Sequence, residues 1–255
     1  MAAAIHTFSS LPSTNTTAAE LAAEGAAHGE IVRAYSQSQG RGRLGKIWSS
    51  PPNKGLYFSL ILRPRLSAED YPKLTMTTGV AVATVLEQLC GLEVMLKWPN
   101  DILVEQKKCA GILCEAHLAG DEEQRFGVVG IGLNVTTARE DFAQELRVGS
   151  TSLLLATGNE YHPEVLLRHL TAAVLEHVAW LENEGFKPLL QQWKKRDFLK
   201  GKWLKWLTHA REIIYAQAQG PDDHGNLLVQ DEVGVVHRVL SGDISLAGNG
   251  GGAGE

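Results

Sequence analysis

The sequence predicts an α+β fold: a mixed β-sheet flanked by helices, with a small all-β unit after it. Three observations point there. Short apolar runs succeed one another at close spacing with few helices between them, whereas a doubly wound sheet needs a helix after each strand. Two long stretches, 71–92 and 163–185, carry apolar residues at helical spacing and can cover a sheet face. Beyond Gly201 the pattern changes to short strand-like runs divided by turn residues.

Taken from the N-terminus, residues 5–8 read as a short strand. Ser13-Thr14-Asn15-Thr16-Thr17 is a cluster of capping residues, and Thr17-Ala18-Ala19-Glu20 fits a capping box opening an Ala-rich helix that ends near Gly25. A strand over 31–35 runs through Ser36-Gln37-Ser38-Gln39 into a glycine loop, and 56–62 is a buried strand. The helix over 71–92 has its core positions at Leu74, Val80, Val82, Ala83, Val85, Leu86 and Leu89. A strand at 94–96 ends in Lys97-Trp98-Pro99-Asn100-Asp101, succeeded by a strand at 102–104, a hairpin turn at 105–108 and a returning strand at 109–116. After a charged hairpin at 120–125 comes a strand over 126–135, glycine-rich where something must approach closely. A short helix from Thr151 stops at Gly158, Pro163 opens the second long helix, and a further short helix covers 186–198. His177 lies on the apolar face of the long helix and reads as a packed or surface residue rather than a catalyst. The remaining strands, 203–208, 212–217, 227–230, 235–240 and 244–246, suggest a five-stranded barrel. The Gly-rich stretch from Ala247 reads as a disordered tail. The expected division is a mixed-sheet unit over 1–200, a β-barrel unit over 201–247 and a tail over 248–255.

A length of 255 residues suits one large domain or a large one with a small companion, and 44% apolar with 21% charged residues is a soluble globular composition. The net charge of −5 argues against a general nucleic-acid-binding surface. No apolar run is long enough to span a membrane, and the first residues lack the basic segment of a signal peptide. Three cysteines, Cys90, Cys109 and Cys114, are odd in number and lie in apolar segments, which suggests reduced thiols in a cytoplasmic protein.

Against that acidic background stands Gly40-Arg41-Gly42-Arg43-Leu44-Gly45-Lys46, with three glycines and three cations in seven residues. With no acid inside the stretch, the loop repels itself when empty and settles around a polyanion, most simply a phosphate chain. It satisfies the patterns of both a dinucleotide fingerprint and a P-loop, yet both require a helix to start here. The chain instead continues into a Pro/Gly-rich loop and a strand, and Ile47 stands where a P-loop Ser or Thr would hold magnesium. Both are excluded by context.

Polar sets interrupt the apolar strands at three places: Gln37 to Lys46, Lys97 to Asp101, and Lys107-Lys108. Gln37 suits a polar, uncharged ligand group. Arg41, Arg43, Lys46, Lys97 and Lys108 outnumber what a neutral substrate needs, and no Ser-His-Asp order, metal-ligand cluster or carboxylate pair accompanies them. A site rich in cations and poor in bases suits nucleotidyl transfer, where two anions are positioned and charge on a leaving pyrophosphate is stabilised. Asn100 and Asp101 form either a tight turn or a place for Mg²⁺ carried by a nucleotide.

The run Gln37-Ser38-Gln39-Gly40-Arg41-Gly42-Arg43, Trp48, Ser50-Pro51, Gly55-Leu56-Tyr57-Phe58-Ser59, Lys97-Trp98-Pro99-Asn100-Asp101, Lys108-Cys109-Ala110-Gly111-Ile112-Leu113 and Gly130-Ile131-Gly132-Leu133-Asn134-Val135 closely resembles the biotin protein ligases, as does the position of Ser13-Thr14-Asn15. The resemblance runs from about residue 6 to residue 246. It implies a class II synthetase-like catalytic domain and a C-terminal SH3-like barrel. It implies a biotin–[acetyl-CoA-carboxylase] ligase, which joins biotin and ATP into biotinyl-5′-AMP with release of pyrophosphate. Such an enzyme then passes biotin to one lysine of a biotin carboxyl carrier protein, with Mg²⁺ accompanying ATP and no tightly bound prosthetic group. Carried over by residue, Ser13, Thr14, Asn15 and Gln37 bind the biotin ureido head, with Gly111 also at the biotin. Arg41, Gly42 and Arg43 belong to a loop closing over biotin and adenylate, and Lys108 binds the biotin carboxylate and the phosphate formed from it. Trp48 walls the pocket, Gly40, Lys97 and Asn100 face the triphosphate, and Asn134 lies by the nucleotide; Lys108, Arg43 and Arg41 are the residues of the chemistry.

No helix-turn-helix pattern precedes these motifs, which by resemblance is the monofunctional kind, with no nucleic-acid or membrane partner and room for a homodimer. Leu44 departs from the family, where a third arginine is common, and Lys202-Trp203-Leu204-Lys205-Trp206 is unusually aromatic. A lipoate ligase or octanoyltransferase is similar in fold, but the cationic loop and the Lys97–Asp101 segment speak against it. A non-catalytic biotin or nucleotide sensor has less need of Lys108 and both arginines.

Overall fold

The computed structural model describes residues 4–119, 121, 124–208 and 212–239. They form two units, one ending at Phe198 and one beginning at Leu199. The first unit is built on a seven-stranded mixed sheet. In chain order its strands are β1 (Ile5–Phe8), β2 (Ile31–Ala34), β3 (Gly55–Leu62), β4 (Val94–Lys97), β5 (Asp101–Val104), β6 (Lys107–His117) and β7 (Phe126–Asn134). Their order across the sheet is β1-β2-β3-β7-β6-β5-β4. Only β1 and β2 run parallel; every other neighbouring pair is antiparallel. The centre of the sheet, β3 and β7, is buried along nearly its whole length, as the unbroken apolar runs of both strands require.

Helices cover both faces. The helix α1 (Thr14–Ala23) lies on β2, β3 and β7, and its Ala18 and Ala22 pack with Val32, Ile61, Phe126 and Val128. The opposite face carries α2 (Lys73–Cys90), on which α4 (Pro163–Glu184) and α5 (Phe186–Lys195) pack; a short α3 (Leu153–Thr157) precedes them. Ser152 caps α3, its Oγ accepting from Leu155 N at 3.2 Å, and Gly158 ends that helix in the left-handed conformation. His177 is buried on α4 with its ring nitrogen Nδ1 2.8 Å from Ala173 O, a packed residue as the sequence reads.

Two helix boundaries differ from expectation by three residues or more. The capping box at Thr17–Glu20 is not used: the N-cap lies four residues earlier, at Ser13, which is extended and makes no side-chain cap bond, so α1 starts at Thr14. Thr14 and Asn15 are buried because their side chains turn toward the sheet, so a residue type that caps helices elsewhere serves another purpose here. α5 ends at Lys195, because the chain from Arg196 to Phe198 leaves the helix to bond alongside Leu96 of β4.

The second unit is an antiparallel sheet of four strands, β8 (Trp203–Leu207), β9 (Ile213–Pro221), β10 (Leu227–Asp231) and β11 (Val236–Val239), in the order β11-β10-β9-β8. The fifth strand of the expected barrel, 244–246, and the Gly-rich tail lie outside the described residues. The aromatic start resolves into two roles. Trp206 is a core residue whose Nε1 donates to Ala216 O at 2.9 Å, while Trp203 is partly exposed and sits beside Tyr215 with ring centroids 5.4 Å apart.

Candidate functional site

On the α1 face of the sheet, one row across β3, β7, β6 and β5 reads Tyr57, Gly132, Gly111, Asp101. The next row reads Ser59, Gly130, Leu113. The three glycines leave a shelf, and side chains from elsewhere in the chain occupy it. A Cβ at Gly130 would lie 2.0 Å from Asn15 Oδ1, and one at Gly132 would lie 2.4 Å from Trp48 Nε1. A Cβ at Gly111 would meet the same indole at 2.9 Å and Lys108 Cε at 3.3 Å. Glycine is therefore required here for space, with the extended backbone intact.

At one end of the shelf is a polar pocket. Gln37 Oε1 accepts from Thr14 N at 2.8 Å and Thr14 Oγ1 at 3.2 Å, and Gln37 Nε2 donates to Ser50 Oγ at 2.8 Å. Ser59 Oγ lies 2.8 Å from Thr14 Oγ1 and 2.6 Å from Asn15 Oδ1; its single proton serves one of them at a time. Asn15 Nδ2 donates to Leu113 O at 3.1 Å and to Glu115 Oε2 at 2.7 Å. Ser13, Thr14, Asn15 and Ser59 are all buried. Such a network holds its members in fixed rotamers, with donors and acceptors arranged before any ligand arrives.

The cations gather at the other end. Lys108 Nζ sits 2.7 Å from Asp101 Oδ1 and 5.3 Å from the centroid of the Trp48 ring. The Lys108 backbone is tied on both sides, its N donating to Gly149 O at 2.8 Å and its O accepting from Thr151 N at 2.9 Å. Burial lowers the Lys97 pKa, with Asp101 opposing and Lys108 and Lys46 adding to the fall, so these four charges share one region. Burial also lowers the Arg43 pKa, again with Asp101 opposing, although a guanidinium stays protonated. Trp48 Nε1 is buried with no hydrogen-bond partner, so shape and dispersion against the glycine backbone hold the ring. Gly132→Ala is accordingly expected to push the indole off the shelf. The check is Trp fluorescence of the folded protein, which should shift to longer wavelength, whereas an unshifted spectrum would show that the ring does not need this seat.

Three expectations change. The loop, read as a self-repelling run of cations, forms a closed turn: Arg41 and Ile47 bridge, Gly42 N donates to Lys46 O at 2.7 Å, and Arg43–Gly45 makes one 3₁₀ turn. Left-handed backbone falls on Leu44 and Gly45, while Gly40 is needed because a Cβ there would lie 2.3 Å from Trp48 O. The site is also not poor in carboxylates. Glu115 pairs with Arg41 at 2.9 Å and Asp101 with Lys108, which offsets the self-repulsion foreseen for the loop. Finally, Asn100 and Asn134 each turn an amide donor to backbone: Asn100 Nδ2 donates to Ile112 O at 2.8 Å and Asn134 Nδ2 to Thr151 O at 2.9 Å.

The structure thus brings Thr14, Asn15, Gln37, Trp48, Lys108 and Gly111 to one face, with Ser13 buried at the N-cap of α1 beside Thr14, Arg41 joined to them through Glu115, and Lys97 and Arg43 near Asp101. Sequence reading passed over Ser50, Ser59 and Glu115 as site residues. The signal for the last two was a lone polar residue on the inner face of an otherwise apolar strand.

The profile of the Biotin/lipoate A/B protein ligase family matches residues 7–134, and that of the Biotin protein ligase C terminal domain matches residues 207–247. Bifunctional ligase/repressor BirA of Bacillus subtilis is 35% identical over 236 residues, which are 92% of this chain and 72% of that protein. Biotin–[acetyl-CoA-carboxylase] ligase of Paracoccus denitrificans is 33% identical over 227 residues, 87% of this chain and 92% of that one. The biotin protein ligase from Aquifex aeolicus, solved in complex with biotin and ATP, superposes with a TM-score of 0.81 at 27% identity, covering 95% of this chain and 97% of its own.

Proposed function

The chain belongs to the biotin/lipoate A/B protein ligase family, and from that premise we infer that it is a biotin–protein ligase. It joins biotin and ATP into biotinyl-5′-AMP and transfers biotin to a carrier protein. One juxtaposition carries the assignment of residues: a pre-ordered polar pocket and a cluster of cations lie at two ends of one glycine shelf, roofed by Trp48.

The polar pocket supplies Thr14, Asn15, Gln37 and, from its edge, Ser13 for the uncharged head of biotin. Its acyl tail runs over Gly111 and Gly132 beneath Trp48, and its carboxylate reaches Lys108. A carboxylate oxygen attacks the α-phosphorus of ATP, the bond to the bridging oxygen breaks, and pyrophosphate leaves with the electron pair. Lys108 and Arg41 neutralise the repulsion between the two anions, and Lys97 and Gly40 face the departing phosphates, while Asn100 braces its turn through Ile112 O. Arg43 and Gly42 cover the adenylate, with Asn134 at the nucleotide side. In the second step the carrier lysine attacks the acyl carbon and AMP leaves. We assign the acceptor to the carrier domain of acetyl-CoA carboxylase or another biotin-dependent carboxylase, and the reaction to the cytoplasm.

Among the described residues no three His, Cys, Asp or Glu side chains converge on a metal position, and Asp101 is paired with Lys108. Mg²⁺ enters as part of the nucleotide co-substrate, and Asp101 serves as the counter-charge of Lys108. No helix among the described residues is long and apolar enough to cross a membrane.

The deciding experiment is incubation with ATP, Mg²⁺, biotin and a carrier domain. Biotin-dependent pyrophosphate release and then labelling of one carrier lysine are expected; no biotin dependence, or equal use of lipoate, would overturn the assignment. Arg43→Gly should leave the fold intact, because Arg43 lies in a turn outside the sheet. Loss of a charge-assisted hydrogen bond to the adenylate should speed its escape about 10–100-fold. Release of intermediate no faster than from the parent enzyme would remove Arg43 from the lid.

A further inference from the structure

We propose that Glu115 is a positioning residue, coupling the polar pocket under α1 to the cationic loop by holding Arg41. This role rests on the biotin ligase reading and adds to it a residue outside its substrate contacts.

A single oxygen carries the coupling. Glu115 Oε2 accepts from Asn15 Nδ2 at 2.7 Å and from Arg41 Nη2 at 2.9 Å. Asn15 is held on its other side by Ser59 and Leu113, so the amide side of the junction is anchored in the buried pocket. The arginine side is not anchored in that way, because Arg41 lies in a turn and its side chain is about half exposed (45%). Glu115 stands on β6, paired with Val128 in the interior of the sheet, and does not move with the loop. Arg41 thus takes its position from a rigid strand across 74 residues of sequence. A guanidinium has five donors in a fixed fork; the one at Nη2 engaged by Glu115 orients the plane and leaves the others for a carboxylate or phosphate.

Because both bonds end on one oxygen, the fixed amide of Asn15 sets the direction of that oxygen, and the oxygen in turn aims Arg41. The position of Arg41 then depends on an intact pocket. Head recognition and anion neutralisation are linked through one carboxylate, although Glu115 touches neither reacting group.

The test is a double-mutant cycle on the full chain, with Glu115→Gln, Arg41→Ala and the double variant, read as kcat and KM for biotin in pyrophosphate release. Glutamine keeps the size and an acceptor for Asn15 but loses the charge that holds Arg41. Glu115→Gln should lower kcat/KM about tenfold while the thermal midpoint stays at the parent value. In the Arg41→Ala background the same change should cost nothing further, and Glu115→Asp should recover part of the loss. If the two losses multiply in the double variant, or if Glu115→Gln behaves as the parent, Glu115 does not act through Arg41. A fall in thermal midpoint that accounts for the lost activity would equally overturn the proposal. A parent enzyme without biotin-dependent pyrophosphate release would sink the underlying assignment instead, which separates the two failures.

Discussion

Lys108→Ala should lower the rate of biotin-dependent pyrophosphate release about 10²–10³-fold, the range for loss of one pre-oriented donor to developing charge. Lys108 Nζ is set by its ion pair with Asp101 at 2.7 Å and by the face of Trp48. Both contacts place an ammonium at the shelf, where two anions must approach each other. Removing it has a second consequence. Asp101 loses its ion-pair partner and then presents more of its negative charge to the incoming phosphates, adding repulsion to the lost attraction. The double variant Lys108→Ala/Asp101→Asn should therefore recover part of the rate lost in the single one. The thermal midpoint should change little, because the Lys108 backbone stays bonded to Gly149 and Thr151. Parent-like rates in Lys108→Ala would refute its assignment to adenylate formation.

Gly130→Ala is expected to weaken biotin binding by at least about a hundredfold, as two hydrogen bonds of about 1.4 kcal/mol each would give. The new methyl would lie 2.0 Å from Asn15 Oδ1. β7 cannot retreat, because β3 and β6 are bonded to it on either side. Asn15 must swing away, and its bonds to Ser59, Leu113 and Glu115 go with it. Thr14 is disturbed as well through Ser59. Titration calorimetry with biotin measures the loss, and circular dichroism checks that the sheet is retained. An unchanged dissociation constant would show that Asn15 takes no part in holding the head group.

Much of the architecture was legible because it depends on local pattern. The mixed sheet comes from closely spaced strands with few intervening helices, and α2 and α4 come from their apolar spacing. The same local rules misplaced the start of α1. A capping box is a local preference, and it yielded to Thr14 and Asn15, whose hydrogen bonds reach across to Gln37, Ser59 and Glu115. The glycines of β7 signalled a close approach, but nothing nearby in the chain tells that the visitors are Asn15 and Trp48.

Residue types and their order in the chain were enough to specify the strands, the two long helices, the cationic loop and the family to which the chain belongs, since these depend on short-range periodicity and on motif spacing. The partners of the charges could not be read there. Lys108 meets Asp101 because antiparallel pairing of β5 and β6 brings them together, and Arg41 meets Glu115 because the loop before β3 reaches the exposed end of β6. Strand pairing is a long-range choice made by the register of the whole sheet, and that register turned a loop read as bare positive charge into one balanced by two carboxylates.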